Sequence, residues 1–166
     1  MALTEEEQLK VRQKAMRLLE HMNRTEKGLE EKLKNAGFSP EAIKNGMDYV
    51  RSFGYLNDQR YAETYISSRI GCKSRQKLLL ELLQKGIDRE TFERAWEEIA
   101  SIQKPDERQI LKELIQKKYA PGTRLTEKEM RRLYGYLSRR GFRPGDIFSS
   151  LEELEIAQEK EPWDEK

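Results

Sequence analysis

Gly54-Tyr55-Leu56-Asn57-Asp58-Gln59-Arg60-Tyr61-Ala62, read on as far as Arg69, is the stretch whose reading decides the fold. Asn57 or Asp58 can cap a helix after the Gly-Tyr-Leu turn. Behind that cap Ala62, Ile66 and Ile70 recur every fourth residue, as one buried helical face requires. Tyr61, Tyr65 and Arg69 repeat at the same spacing on a neighbouring face, which is either core edge or contact surface. The residues alone leave both readings open.

Upstream, Thr4 with Glu7 makes a capping box opening a helix whose apolar stripe is Val11, Ala15, Leu18, Leu19 and Met22. Thr25 caps a second helix carrying Leu29, Leu33 and Ala36, stopped at Gly37, where a left-handed residue ends a helix cheaply. Ser39 caps a third, with Pro40 at its first position and a stripe of Ile43, Met47 and Val50; Gly54 ends it. Downstream, Ser74 caps a helix with Leu78, Leu79, Leu82 and Leu83 that stops at Gly86, and Asp88 caps one with Phe92, Ala95, Trp96 and Ile99. Pro105 starts a helix with Ile110, Leu111, Leu114 and Ile115, before Ala120-Pro121-Gly122 breaks the chain. A capping box of Thr126 and Glu129 opens a helix through Leu133, Tyr134 and Leu137 to Gly141, and Pro144 opens a last one with Ile147, Phe148, Leu151 and Leu154. Beyond Glu155 the chain reads as a polar, frayed tail with one isolated aromatic, Trp163.

Gly37, Gly86 and Gly141, spaced by 49 and 55 residues, superimpose their flanks without a gap. Four residues before each stands a leucine (Leu33, Leu82, Leu137), and directly after each a large apolar residue (Phe38, Ile87, Phe142). Ile43, Phe92 and Ile147 follow at six; Met47, Trp96 and Leu151 at ten; Val50, Ile99 and Leu154 at thirteen. Each unit is helix, helix, glycine corner, helix, with a period close to that of known helical repeats. The expected fold is therefore all-α: three tandem three-helix repeats forming an elongated, curved body, whose concave side suits a long partner. Residues 1–23 form an N-terminal helix leading into the repeats, 24–56 the first repeat, 57–103 the second, 104–155 the third and 156–166 the polar tail.

The 166 residues hold 32 Lys and Arg against 30 Asp and Glu, and charged residues make up 37% against 36% hydrophobic, a balance that suits a thin helical protein. Cys72 is the only cysteine, so no intramolecular disulfide forms. The polar N-terminus is no signal peptide, and Leu78-Leu79-Leu80 is far too short to span a membrane. These readings point to a soluble, cytoplasmic protein, and a monomer is expected. Catalysis has little to stand on: His21 is the only histidine and sits at a helix C-terminus, where a cation is favourable anyway. Cys72, in the basic loop Gly71-Cys72-Lys73-Ser74-Arg75, has no histidine near it in sequence. No phosphate-binding loop, dinucleotide turn or metal-ligand spacing is present, so neither enzyme, cofactor nor metal is expected.

Charge, however, is segregated. Arg124, Lys128, Arg131, Arg132, Arg139, Arg140 and Arg143 stand against only Glu127 and Glu129, and Arg69, Lys73, Arg75 and Lys77 form a second basic cluster. From Glu152 onward seven acids face two lysines. Such patches on a near-neutral chain mark a polyanion or an acidic protein surface as partner, or else solvated helix faces.

In their order and spacing, Thr25-Glu26…Leu29…Lys32-Leu33, then Gly54 to Ala62 with Arg69, and Leu82…Lys85-Gly86-Ile87 resemble the RecX family, regulators of the bacterial recombinase RecA. The resemblance spans nearly the whole chain and is least specific in the third repeat. Asn57 departs from the family's usual aspartate and Ser74 from a frequent glycine. Gly28 stands where glutamate would complete a capping box with Thr25, which weakens that helix start by a few tenths to ~1 kcal/mol.

The resemblance implies a non-enzymatic regulator. It would lie along the groove of a RecA–single-stranded DNA filament and modulate its ATP hydrolysis, strand exchange and stimulated repressor cleavage, and so act in recombination, repair and the SOS response. Contacts expected to pair with filament carboxylates or DNA phosphates are Arg60, Arg69, Lys73, Arg75 and Lys77 in the centre, and Arg131, Arg132, Arg139 and Arg140 in the third unit. Arg60 and Arg69 can equally serve intramolecular pairs that hold the repeats in register. Whether single-stranded DNA is itself touched stays open. Two other classes remain: a direct DNA-binding helical module, which the net charge of +2 and the lack of interleaved aromatics disfavour, and a helical-repeat adaptor for another protein.

Overall fold

A computed structural model describes residues 2–160. Its helices are α1 (Glu5–His21), α2 (Glu26–Asn35), α3 (Pro40–Ser52), α4 (Asp58–Arg69), α5 (Arg75–Gln84), α6 (Arg89–Gln103), α7 (Glu107–Gln116), α8 (Glu127–Arg139) and α9 (Pro144–Glu153). They make three successive three-helix repeats, α1–α3, α4–α6 and α7–α9, each with its glycine corner between the second and third helix. At Gly37, Gly86 and Gly141 φ is +92°, +94° and +92°, a region open to glycine at no steric cost. The N–H of the residue after each glycine reaches back to the leucine carbonyl: Phe38 to Leu33 at 3.3 Å, Ile87 to Leu82 at 2.9 Å, Phe142 to Leu137 at 3.2 Å. That bond satisfies a helix-end carbonyl that would otherwise go unpaired.

The chain forms two compact units, one taking residues up to Ser67 together with Leu79–Ile102, the other Ser68–Leu78 together with the chain from Gln103. In the first, Val11 and Ala15 of α1 share a core with Leu29 and Leu33 of α2 and with Ala42, Ile43, Met47 and Val50 of α3. Gly46 lets α3 approach α1 closely, since a Cβ there would sit 2.9 Å from Val11 Cγ2. In the second, α7, α8 and α9 enclose Leu111, Leu114, Ile115, Leu133, Leu137, Ile147 and Leu151.

Caps link the repeats as well as closing helices. Asn57 caps its own helix, its Oδ1 accepting from Arg60 N at 3.0 Å, while Asp58 turns away and accepts from Glu26 N at the start of α2, 2.9 Å. Forty-nine residues on, the arrangement recurs: Asp106 caps α7, and Glu107 Oε1 accepts from Arg75 N at the start of α5, 2.5 Å. Thus α4 supplies a carboxylate to the start of α2, on the Glu26 amide and not on the Thr25 amide that a glutamate at position 28 would serve. The buried Thr25 hydroxyl accepts from Gly28 N at 3.0 Å and donates to Lys85 O at 2.6 Å, beside the Gly86 corner.

Several expectations change. The chain past α9 is not frayed at its start: Glu155 closes α9 with φ +57°, Ile156 is buried, and Ala157–Gln158 (β2) pairs in parallel with Arg124–Leu125 (β1). Trp163 lies outside the described residues. Asp106, not Pro105, marks the start of α7. Met22 and Phe148 are exposed rather than in their stripes; Phe148 directly follows the buried Ile147 and is therefore rotated about 100° away from it. Pro144 does open α9, but Arg143 at its cap makes no side-chain hydrogen bond, unlike Ser39 and Asp88 at the matching positions.

Candidate interaction surfaces

The signature stretch builds a small cleft of about 100 Å³ in the first unit. Gly54, Tyr55, Asn57, Arg60, Tyr61 and Thr64 line it, facing Asn23 and Arg24 of the linker between α1 and α2. Arg24 Nε donates to Leu18 O at 3.2 Å, which fixes that side chain at the cleft wall. Tyr61 and Tyr65 stack at 6.3 Å, and the Lys85 ammonium lies 5.7 Å from the Tyr65 ring. The second tyrosine face of α4 is therefore a partly exposed surface. Asp58 is half-buried on the inner side. Burial raises its carboxyl above the ordinary range, the Glu26 N–H pulls it back, nearby Glu26 and Asp88 raise it and Arg51 lowers it. Arg51 in turn bridges Glu26 at 2.6 Å and Asp48 at 3.0 Å.

The other eight of the nine expected contact residues fall in the second unit, where the two basic clusters of the sequence meet at the Gly141 corner. Ser74 N donates to Arg140 O at 3.0 Å, and an added Gly141 Cβ would lie 2.5 Å from Lys77 Cβ. Arg140 is spent on this junction: its guanidinium donates to the Cys72 carbonyl at 3.1 Å and lies 4.6 Å from the Tyr136 ring, whose centroid is 4.3 Å from the Lys118 ammonium. Arg140 thus has a structural role at this junction and is half-buried there. The Cys72 thiol donates to Arg69 O at 3.4 Å.

Arg69, Lys73 and Arg75 are half-buried and engaged with neighbours, and Lys77 is half-buried. Arg60, Arg131, Arg132 and Arg139 are exposed, with no carboxylate partner among the described residues; Arg139 folds back along α8 over Gly135. Arg60 therefore makes no register-holding pair among the described residues. The acidic segment contributes Glu153, which pairs with Arg108 and Lys112. Among the described residues no group of three His, Cys, Asp or Glu side chains could hold a metal, and no helix is long and apolar enough to cross a membrane.

The sequence reading missed one surface. Phe53 and Tyr55, on either side of Gly54, stack at 5.7 Å and are 57% and 53% exposed. Tyr49 meets Phe53 edge-on at 5.1 Å, and the Arg12 guanidinium lies 4.9 Å from the Tyr49 ring. The signal was present as two aromatics bracketing a corner glycine, with Leu56, not Tyr55, taking the buried place.

Comparison with known proteins matches the three repeats in turn. The first three-helix domain of RecX aligns with residues 12–49, the second with 57–95 and the third with 106–151. The regulatory protein RecX of Clostridium perfringens (strain 13 / Type A) is 32% identical over 115 residues, 69% of this chain and 53% of that protein. That of Amycolatopsis mediterranei is 30% identical over 152 residues, 90% of this chain and 85% of that protein. The chain thus spans about half the length of the Clostridium perfringens relative it matches. A crystal structure of RecX from Lactobacillus salivarius superimposes with a TM-score of 0.65 at 23% identity, covering 91% of this chain and 98% of that one. A second RecX crystal structure gives 0.63 at 19% identity, covering 92% and 79%. Both share the fold.

Proposed function

This chain belongs to the RecX family of regulatory proteins, and on that premise we propose that it regulates a RecA recombinase by binding along the groove of the recombinase–single-stranded DNA filament. It acts in the cytoplasm as a monomer, by contact and not by catalysis, and alters the filament's ATP hydrolysis, strand exchange and coprotease activity. The observation that carries the reading is the merging of two basic clusters, about sixty residues apart in sequence, at the Gly141 corner. Arg131, Arg132 and Arg139 stand exposed on α8 of the same unit, and Arg60 on α4 of the other. Tandem repeats suit a polymer of identical subunits. Weak contacts made in series by linked modules multiply through effective concentration, so no single tight site is needed.

Arg131, Arg132 and Arg139 are the contacts most available for ion pairs with filament carboxylates or DNA phosphates. Lys73, Arg75, Lys77 and Arg69 shape the same surface while engaged in the fold. Co-sedimentation tests the reading. The protein should pellet with recombinase assembled on single-stranded DNA in the presence of a non-hydrolysable ATP analogue, and stay in the supernatant with recombinase alone. Equal recovery with unassembled recombinase would show that no filament is read.

A further inference from the structure

The exposed rings around Gly54 carry an inference about what else the first unit holds. At the corners after Gly86 and Gly141, the next residue, Ile87 or Phe142, is buried. After Gly54 the corner closes in the same way, with φ +74° and Tyr55 N donating to Val50 O at 3.1 Å, yet Tyr55 stays outside. Since the backbone ends α3 and Leu56 fills the core, neither Phe53 nor Tyr55 is needed where it stands. Two large stacked aromatics left more than half exposed are a contact surface.

Its chemistry selects the occupant. The ring pair adjoins the cleft holding Arg24 and Arg60, and on its other side runs through Tyr49 to Arg12. The neighbouring hollow of Leu9, Arg12, Gln13, Met16, Arg17 and Tyr49 has one carboxylate, Glu20. Flat rings between guanidinium groups fit a polymer with exposed π-faces and a regular anionic backbone. A duplex keeps its bases stacked internally and offers only phosphates, whereas a single strand offers both. An acidic peptide matches the arginines and leaves the rings without partners.

We propose that Phe53 and Tyr55 form a base-stacking platform for single-stranded nucleic acid, with Arg24 and Arg60 receiving the flanking phosphates. The proposal rests on the filament reading only in taking single-stranded DNA as the polymer met in the cell. The platform binds an oligonucleotide without any recombinase.

The test is fluorescence anisotropy of a labelled oligothymidylate, with a duplex of equal length as competitor, across a salt series. The wild-type protein should bind the single strand in preference to the duplex. F53A/Y55A should lose about tenfold or more in affinity with an unchanged salt slope, because stacking and not charge is removed. F53Y/Y55F, which keeps both rings, should bind as wild type. R60Q should flatten the logarithmic salt slope by about 0.7, one phosphate contact on a single strand. Thermal melts check that each variant is folded.

Equal binding of single strand and duplex overturns the proposal, as does a folded F53A/Y55A that binds as wild type. If the wild-type protein ignores the oligonucleotide but F53A/Y55A loses its effect on the filament, the rings meet protein and the platform is refuted while the filament reading stands. If the oligonucleotide binds as described and the filament is unaffected, the platform stands and the filament reading fails.

Discussion

Adding one methyl group at each of the three corner glycines separates what the corner needs from what the junction between repeats needs. Gly37, at φ +92°, has nothing within 4 Å of a built Cβ, so Gly37→Ala meets only the cost of holding an L-residue in the left-handed region. That cost is about 1–2 kcal/mol, reduced by about 0.4–1 kcal/mol because alanine narrows the unfolded ensemble. A net loss near 1 kcal/mol is expected. Gly86→Ala carries the same term, and its Cβ also overlaps Lys27 Cβ and lies 2.7 Å from Lys27 Cδ on α2. At Gly141 the added Cβ overlaps Ser74 Oγ and lies 3.3 Å from Lys77 Cα, backbone that cannot rotate aside. Overpacking of this kind costs about 1–3 kcal/mol more. Gly86→Ala and Gly141→Ala should therefore lose about 2–4 kcal/mol, with Gly141→Ala the worse of the two. Urea denaturation followed by circular dichroism reads the difference. A Gly86→Ala or Gly141→Ala protein no less stable than Gly37→Ala would refute the idea that the glycine corner is where one repeat locks onto the next.

Other consequences follow from single residues. Glu155 occupies the corner position of α9 at φ +57°, where α3 is followed by Gly54 and α6 by Lys104 at φ +46°, so Glu155→Gly should raise stability by about 1 kcal/mol or slightly less in the same assay; a loss would mean that the Glu155 side chain stabilises the fold. The Asp58 carboxyl is held above its unfolded value mainly by burial, so between the two pKa values the folded state carries the extra proton and stability falls as pH rises. Asp58→Asn still accepts from Glu26 N and does not titrate; relative to wild type it should lose that fall in stability across the window in denaturant midpoints taken from acid to neutral pH, and an unchanged slope would locate the effect elsewhere. Arg131→Glu with Arg132→Glu, both on the exposed face of α8, should change stability by less than about 1 kcal/mol, since isolated surface substitutions rarely exceed about 0.5 kcal/mol each. The same double variant should need about tenfold more protein to produce the wild-type effect on the filament, and full potency would remove α8 from the contact.

The repeats were legible because their signals are local. A glycine four residues after a leucine, an apolar residue next and a threonine or serine at a helix start are each satisfied by bonds within one turn, and the structure forms them where the sequence placed them. Asp58 and Glu107 were not legible in that way. Each caps an amide 32 residues away, and no rule of local spacing sees such a partner. Asp58 and Glu107 do stand at the same 49-residue offset as Gly37 and Gly86, so extending the alignment downstream of those two glycines places them at matching positions. The β1–β2 pairing escaped because two-residue strands are too short to show alternation. At the candidate surfaces, exposure of Arg131 and Arg132 follows from helix periodicity. Arg140 looks identical in sequence, but the Cys72 carbonyl and the Tyr136 ring claim it. Tyr55 and Leu56 compete for one buried place after Gly54, and only packing decides between them.

Filament regulation is tested most directly by ATP hydrolysis of the cognate RecA recombinase on single-stranded DNA, with this protein titrated from far below the recombinase concentration upward. A protein that acts on the assembled filament should change the hydrolysis rate well below one copy per recombinase subunit. A rate that stays constant up to equimolar protein, on filaments shown to be assembled, would contradict it.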